Sequence, residues 1–376
     1  MPKELDLKEL GNRLRMVDNH LVTILAQRME LAKQVEEYKR EHHESLIRLA
    51  VEDQRIESAK ALAKTKGLNA NFIAAFQYLI MAEACRVEIF QMQDEPELKE
   101  QELSPEQLKE NLLALTKEIA PLYDQNYGLD FFATRSYLSF EDSVISREIG
   151  TLKALGMLDS AIDLGCATGK VSFKLAESFQ RVVGYDISPE MIGEARNNLQ
   201  KAGAPNNIEF KVADIEESIP EESNSVSLVV MSLGTAGDIL NLRQALARIK
   251  RILKPNGRLI LSFYNSSALL YRCWFFPWQV SLAASINQTK HCLDVRLKER
   301  VFSIYARPYS VSEIKKLLNQ AGFEKPTLST YPTISAILPN EFFGEESMQN
   351  LISDIDHQLA GLESGAYTLA ITRKGT

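Results

Sequence analysis

Seven consecutive residues, Asp163-Leu164-Gly165-Cys166-Ala167-Thr168-Gly169, set a carboxylate and a run of small side chains directly after an apolar stretch and directly before a helical one that begins near Lys170. So lean a turn lets a ligand approach the backbone, and the helix start beyond it offers free N–H groups. Its spacing departs from G-x-G-x-x-G, which weighs against a dinucleotide. A second carboxylate, Asp186, ends the run Val182-Val183-Gly184-Tyr185-Asp186, and one aspartate at a strand tip can accept both hydroxyls of a ribose. Near the N-terminus, Arg28 interrupts an otherwise apolar seam, where a guanidinium is costly unless it meets an anion.

These residues need elements to hold them. The seam runs Leu7, Leu10, Leu14, Val17, Leu21, Ile24, Arg28, Leu31, Val35 and Tyr38, in steps of three and four. With no Gly or Pro between Asn12 and Lys66, the first helix extends through about Lys39, roughly 50 Å at 1.5 Å per residue. A second helix follows Ser45 and ends near Gly67, and a third starts around Asn69-Ala70-Asn71. One helix so long among three predicts a helix-swapped homodimer through the N-terminal helices. The stretch from Asp94 to Glu110 is polar and carries Pro96 and Pro105, which divides the chain into a helical domain over 1–95, a linker over 96–110 and a second domain over 111–376. Ser104-Pro105-Glu106 reads as a cap opening a helix that leads to Tyr123 and Tyr127.

From Ser160 the pattern changes. Runs at Ala161 to Leu164, Arg181 to Tyr185, Ile208 to Val212, Val226 to Met231 and Arg258 to Phe263 alternate with helical segments, the mark of an α/β doubly wound parallel sheet. An aromatic insertion over about 266–307 holds both tryptophans, Trp274 and Trp278; it is either a lid over an apolar pocket or a packed cap. The segment 336–365, with a helix from Glu345 to Leu359, is left open between a dimer contact and part of a pocket.

The chain of 376 residues has a formal net charge of -7, which gives no electrostatic ground for a nucleic-acid partner. No stretch reaches the roughly 20 apolar residues of a membrane span, so no membrane partner is expected. Four cysteines without C-x-x-C spacing fit a reducing, cytoplasmic setting and no metal site.

The loop Asp163 to Gly169 resembles the D/E-x-G-x-G-x-G loop of class I S-adenosylmethionine-dependent methyltransferases, with Ala167 replacing the middle glycine. A bare Rossmann turn would explain the loop but not the further elements in register between Ser160 and Asn265. The resemblance implies a Rossmann-like domain with S-adenosylmethionine as cofactor, held by Asp163, Gly165, Cys166, Ala167, Gly169, Asp186, Ile187, Met191, Asp214, Ile215, Met231 and Tyr123. Asp186 would take the ribose, Met191 one face of the adenine and Asp214 its amino group. On the acceptor side it implies Tyr127, Arg135, Arg307 and, as a lone histidine with a bland core alternative, His291, around a small aromatic or carboxylated metabolite. No D/N-P-P-Y/F follows the fourth strand, which argues against an adenine-in-DNA methylase.

Asp18 and the stretch Leu21 to Lys39 resemble the first helix of AroQ-type chorismate mutases, and the likeness extends over Leu7 to Phe90. It implies an all-α three-helix domain and chorismate or a related acid as ligand, with Arg28 and Lys39 on the substrate carboxylate and ether oxygen and Glu52 in the same pocket. Other positions depart: Gly11 and Val51 stand where the family has arginines, Arg48 where it has an aspartate and Glu88 where it has a glutamine. Arg15 and Arg55 lie four residues after the vacancies, displaced by about 5.4 Å along the helix. We therefore expect weak or absent mutase activity, the fold being kept for dimerisation or ligand binding. Two alternatives stay open: a bifunctional enzyme with an active mutase, and a non-catalytic scaffold that binds S-adenosylmethionine.

Overall fold

The computed structural model describes residues 7–41, 49–92, 103–126, 131–272, 283–287, 290–297, 300–338 and 340–376. The chain divides into two compact units, Met1–Glu100 and Gln101–Thr376.

In the first unit, α1 (Leu7–Glu41) is a single long helix, as its unbroken seam requires. It is followed by α2 (Leu49–Thr65) and α3 (Ala70–Met92). Between these two, Gly67 takes a left-handed φ of 68°, the Leu68 amide donates back to the Ala63 carbonyl, and Asn69 Oδ1 accepts the amides of Asn71 and Phe72 to cap α3. The buried positions are mostly small: Ala32, Ala63, Ala74 and Ala84 with Ile56. Most of the α1 seam is not covered. Leu14, Val17, Leu21, Ile24, Leu31 and Val35 are between 41 and 66% exposed.

The second unit opens with α4 (Pro105–Ile119), closed by a capping box in which Ser104 Oγ accepts the Gln107 amide and Gln107 Oε1 accepts the Ser104 amide. This helix starts inside the stretch assigned to the linker, because Pro105 initiates a helix as readily as it punctuates a loop. A short α5 (Tyr123–Asn126) and the long α6 (Phe132–Ala154) follow. Then come β1 (Ser160–Leu164), α7 (Lys170–Ala176), β2 (Arg181–Asp186), α8 (Pro189–Lys201), β3 (Ile208–Val212), β4 (Val226–Met231), α9 (Leu242–Ile252) and β5 (Leu253–Tyr264). After α10 (Leu269–Arg272), the strands β6 (Ala283–Asn287), β7 (Cys292–Leu297) and β8 (Arg300–Tyr305) lead to α11 (Val311–Gln320), β9 (Thr327–Tyr331), α12 (Glu346–Leu359) and β10 (Tyr367–Arg373).

Among the described residues the main sheet has seven strands in the order β3-β2-β1-β4-β5-β10-β9, with helices around it, and the unit is Rossmann-like as expected. The five strands read from the sequence, β1 to β5, pair in parallel as expected. β10 runs antiparallel to both β5 and β9, so the sheet is mixed, a direction set by non-local pairing that no local pattern encodes. β1 and β4 are buried along their whole length and β5 from Leu259 to Phe263, which explains why these stretches read as apolar runs.

The described part of the aromatic insertion holds α10 and a separate antiparallel sheet, β6-β7-β8. Val295, Phe302 and Ile304 of that sheet pack with Leu112 and Leu115 of α4. Trp274, Phe275, Phe276 and Trp278 lie outside the described residues. The helix α12 packs within the second unit, where Phe132, Phe343 and Ile352 share a core. Its buried Asp356 accepts the amides of Thr333, Ile334 and Ser335 and the Ser335 hydroxyl, which fixes the turn after β9. Among the described residues no helix is long and apolar enough to cross a membrane, and no cluster of His, Cys, Asp and Glu is fit to hold a metal.

Candidate functional site

The glycine loop leaves β1 with a left-handed residue at every second position: Gly165 (φ 74°), Ala167 (φ 44°) and Gly169 (φ 92°). Two glycines are needed there for packing as well as for φ. A Cβ at Gly165 would stand 2.5 Å from Thr235 Cγ2, and one at Gly169 would stand 2.5 Å from the Phe210 ring. The amides of Gly165 and Cys166 donate to the Tyr185 carbonyl at 2.8 and 3.0 Å, so β2 holds the loop open at its root. Cys166 is buried, and burial pushes its thiol well up, so it fills space and does not act as a nucleophile.

Asp186 and the loop form one piece. Asp186 Oδ2 accepts the Ala167 amide at 2.9 Å and Oδ1 accepts the Ser188 amide at 2.9 Å. Burial raises this carboxyl while the three backbone donors at Ser188, Ala167 and Ile187 lower it. Ser188 Oγ then accepts the Met191 amide and starts α8, which leaves Met191 buried beside Ile192. Asp163 is placed differently. It is 1% exposed in β1 and accepts the Ser172 hydroxyl at 2.7 Å, so its carboxylate ties β1 to α7 instead of opening on a ligand. Burial pushes Asp163 up to about 7, against that hydrogen bond, and the charges of Asp186 and Glu141 push the same way.

A buried polar network that the sequence did not signal holds the turn after β4. Glu141 of α6 accepts the Ser232 hydroxyl, the Leu233 amide at 3.3 Å and the Tyr137 hydroxyl at 3.0 Å. Tyr137 also meets Ser262 Oγ, which accepts the Gly234 amide at 2.8 Å. Leu233 and Gly234 both have positive φ, so the turn is bent tightly enough for Thr235 to reach the Gly165 loop. A second missed residue is Asp124 of α5, which accepts the Thr168 hydroxyl at 2.6 Å and the Asn198 side-chain amide at 3.0 Å. It docks α5, and with it the half-buried Tyr123, on the loop and α8.

The remaining expected residues are scattered. Asp214 sits just past β3, but its carboxylate forms an ion pair with Lys109 of α4 and accepts the Glu216 amide at 2.8 Å. Ile215 and Met231 are packed into the core cluster between the sheet and α9. Arg307 lies 4.6 Å over the Tyr309 ring and pairs with Glu313 at 3.2 Å, so the guanidinium expected to hold an acceptor carboxylate already has an anion. His291 lies on the turn before β7, where burial and then the Arg307 charge lower its pKa. Arg135 belongs to another setting, over the Phe132 ring of α6. Tyr127 and Arg48 lie outside the described residues, as do the side chains of Lys39, Glu52 and Glu88; Arg28 is partly buried on α1.

Comparison with known proteins matches residues 158–322 to a family model described as a methyltransferase domain and residues 10–89 to chorismate mutase type II. The chain is 34% identical over 107 residues to nodulation protein S of Rhizobium tropici, covering 28% of this chain and 44% of that protein. It is 35% identical over 107 residues to a cobalt-precorrin-6B C(15)-methyltransferase of Methanothermobacter thermautotrophicus, covering 28% and 53%. A demethylmenaquinone methyltransferase of Tropheryma whipplei is 28% identical over 178 residues, covering 46% and 70%. The matched stretch thus spans about half the length of the first two relatives. Both resemblances read from the residues are borne out, and the chain carries a chorismate mutase type II domain followed by a methyltransferase domain.

Proposed function

We propose that the second unit binds S-adenosylmethionine and transfers its methyl group to a small-molecule acceptor. The observation that carries this reading is the joint between Asp186 and the Ala167 amide, which fixes a carboxylate at the tip of β2 beside a loop shaped by three positive-φ residues. Backbone amides orient the Asp186 carboxylate from one side, with Ala167 on Oδ2 and Ser188 on Oδ1 at 2.9 Å, and a carboxylate so held suits the ribose hydroxyls of the cofactor. Ile187 and Met191 follow it in position to flank the adenine. S-adenosylmethionine supplies an activated methyl group, and this chain's contribution is to orient the partners and exclude water.

For the first unit we propose a homodimer through the uncovered α1 seam and binding of chorismate or a related acid near Arg28, with little or no mutase turnover because Gly11 and Val51 supply no cation. Unpaired Cys166 and Cys292 suit a cytoplasmic setting. Calorimetry with S-adenosylmethionine tests the central claim. The unmodified chain should bind, and Asp186→Ala should weaken binding roughly 100-fold or more, since two hydrogen bonds to a charged group contribute about 1.5–3 kcal/mol each. Equal affinity in the variant would reject the site.

A further inference from the structure

Asp238 lies on the stretch after β4. Its amide donates to the Thr235 carbonyl at 3.0 Å, and Thr235 is the residue packed against Gly165. Two residues further on, the amides of Leu240 and Asn241 donate to Glu216, next but one to Asp214. The 232–241 stretch therefore runs from the glycine loop to the far end of β3, along the edge of the proposed cofactor site. Asp238 Oδ1 is out of contact with solvent and has no hydrogen-bond partner among the described residues. The Tyr264 hydroxyl hydrogen-bonds the same carboxyl, and the Tyr264 ring lies so close to Gly234 and Gly237 that a Cβ at either would stand 2.8 Å from it. Tyr264 is in turn 5.8 Å from Tyr367, which stacks on Tyr137 at 4.3 Å.

A carboxyl oxygen removed from water without a donor costs free energy, and folded proteins leave few such groups without a reason. Among the described residues nothing repays the cost at Asp238, which neither caps a helix nor pairs with a cation there. Burial pushes its carboxyl well above the usual range, so it holds a proton more tightly than a surface aspartate would.

We propose that Asp238, steadied by Tyr264, receives the N–H or O–H of the methyl acceptor, so that the acceptor is a protic nucleophile, an amine or a hydroxyl, and its reacting group is not a carboxylate. This rests on the reading of the second unit as a methyltransferase. In the step, the nucleophile's lone pair forms the bond to the methyl carbon and the carbon–sulfur pair returns to sulfur, leaving the thioether S-adenosylhomocysteine. Asp238, ionised when the acceptor binds, takes the acceptor's proton on Oδ1 and is left as the neutral acid. The engagement of Arg307 by Glu313 points the same way, since it leaves that guanidinium already matched.

The test uses the full chain saturated with S-adenosylhomocysteine and a calorimetric panel of small amines and phenols, each beside its fully methylated counterpart. At least one protic compound should bind saturably, with its methylated counterpart at least tenfold weaker. Asp238→Asn should weaken that compound at least tenfold and Tyr264→Phe by less, while both variants keep their melting temperature and bind S-adenosylmethionine within twofold of the unmodified chain. Unchanged binding in Asp238→Asn, or a panel in which no protic compound binds, overturns the assignment alone, because S-adenosylmethionine affinity is read separately. Failure of the unmodified chain to bind S-adenosylmethionine overturns the methyltransferase reading with it.

Discussion

Asp163 has almost no exposed surface, one hydroxyl donor and two negative neighbours, and these set its charge. Its folded pKa of about 7 stands above the ordinary value of 3.8, so between those values the folded chain holds a proton that the unfolded chain has released. Stability then falls as pH rises through that window and levels off above it. Asn is close to isosteric with the neutral acid and keeps an oxygen for Ser172. Asp163→Asn should gain on the unmodified chain steadily between pH 4.5 and about 7, by at most on the order of 3.5 kcal/mol over that range at about 1.4 kcal/mol per unit. Melting curves of both proteins between pH 4.5 and 8 check this, and parallel curves would show that Asp163 is not held protonated. Which carboxylates matter was only partly legible at this scale. Asp186 announced itself by ending an apolar strand, whereas Glu141 and Asp238 look like ordinary acids on a helix and in a loop until tertiary packing buries them.

The helix α6 works as a clamp, because Glu141, Tyr137 and the Ser262 they reach together hold the 232–234 turn that braces the glycine loop. Removing the carboxylate strands the Leu233 amide and a buried hydroxyl, at about 1–3 kcal/mol for each group left without a partner. Glu141→Ala should lose about 2–6 kcal/mol of stability by that count and bind S-adenosylmethionine at least tenfold more weakly at a temperature where it remains folded. Glu141→Gln keeps an oxygen acceptor and should recover most of the affinity. Paired melting and calorimetric titrations read the two effects apart; a destabilised Glu141→Ala with full affinity would reduce Glu141 to a core group. At this scale the five strands that alternate with helices were readable, since buried parallel strands are short apolar runs bounded by turn residues. β9 is mostly polar, with Thr327, Ser329 and Thr330 among its five residues, β10 gains its direction only from its partners, and β6 to β8 sit in an aromatic stretch that suits a lid as well as a sheet.

Across the whole chain, the two units draw stability from different sources. The second buries two large apolar clusters on the faces of its sheet, including Ile162, Val229 and Leu261 on one side and Val230, Ile260 and Leu369 on the other. The first buries mainly alanines among its described residues and leaves the large apolar side chains of α1 in water. A helix with its seam uncovered gains by pairing with a second copy, at about 25 cal/mol for each Å² of apolar surface removed from water. The length of α1 and its heptad spacing were plain in the sequence, but which face would stay bare was decided by where α3 packs. Replacing Val17 and Ile24 together by Glu puts two charges into that seam without touching the buried alanines. Sedimentation at micromolar concentration should show a dimer for the unmodified chain and a monomer for the double variant, with S-adenosylmethionine affinity unchanged in both because every residue of the proposed cofactor site lies beyond residue 122. A dimer that persists in the variant would place the contact elsewhere, and a fall in cofactor affinity on dissociation would show that pairing of the first unit controls the second.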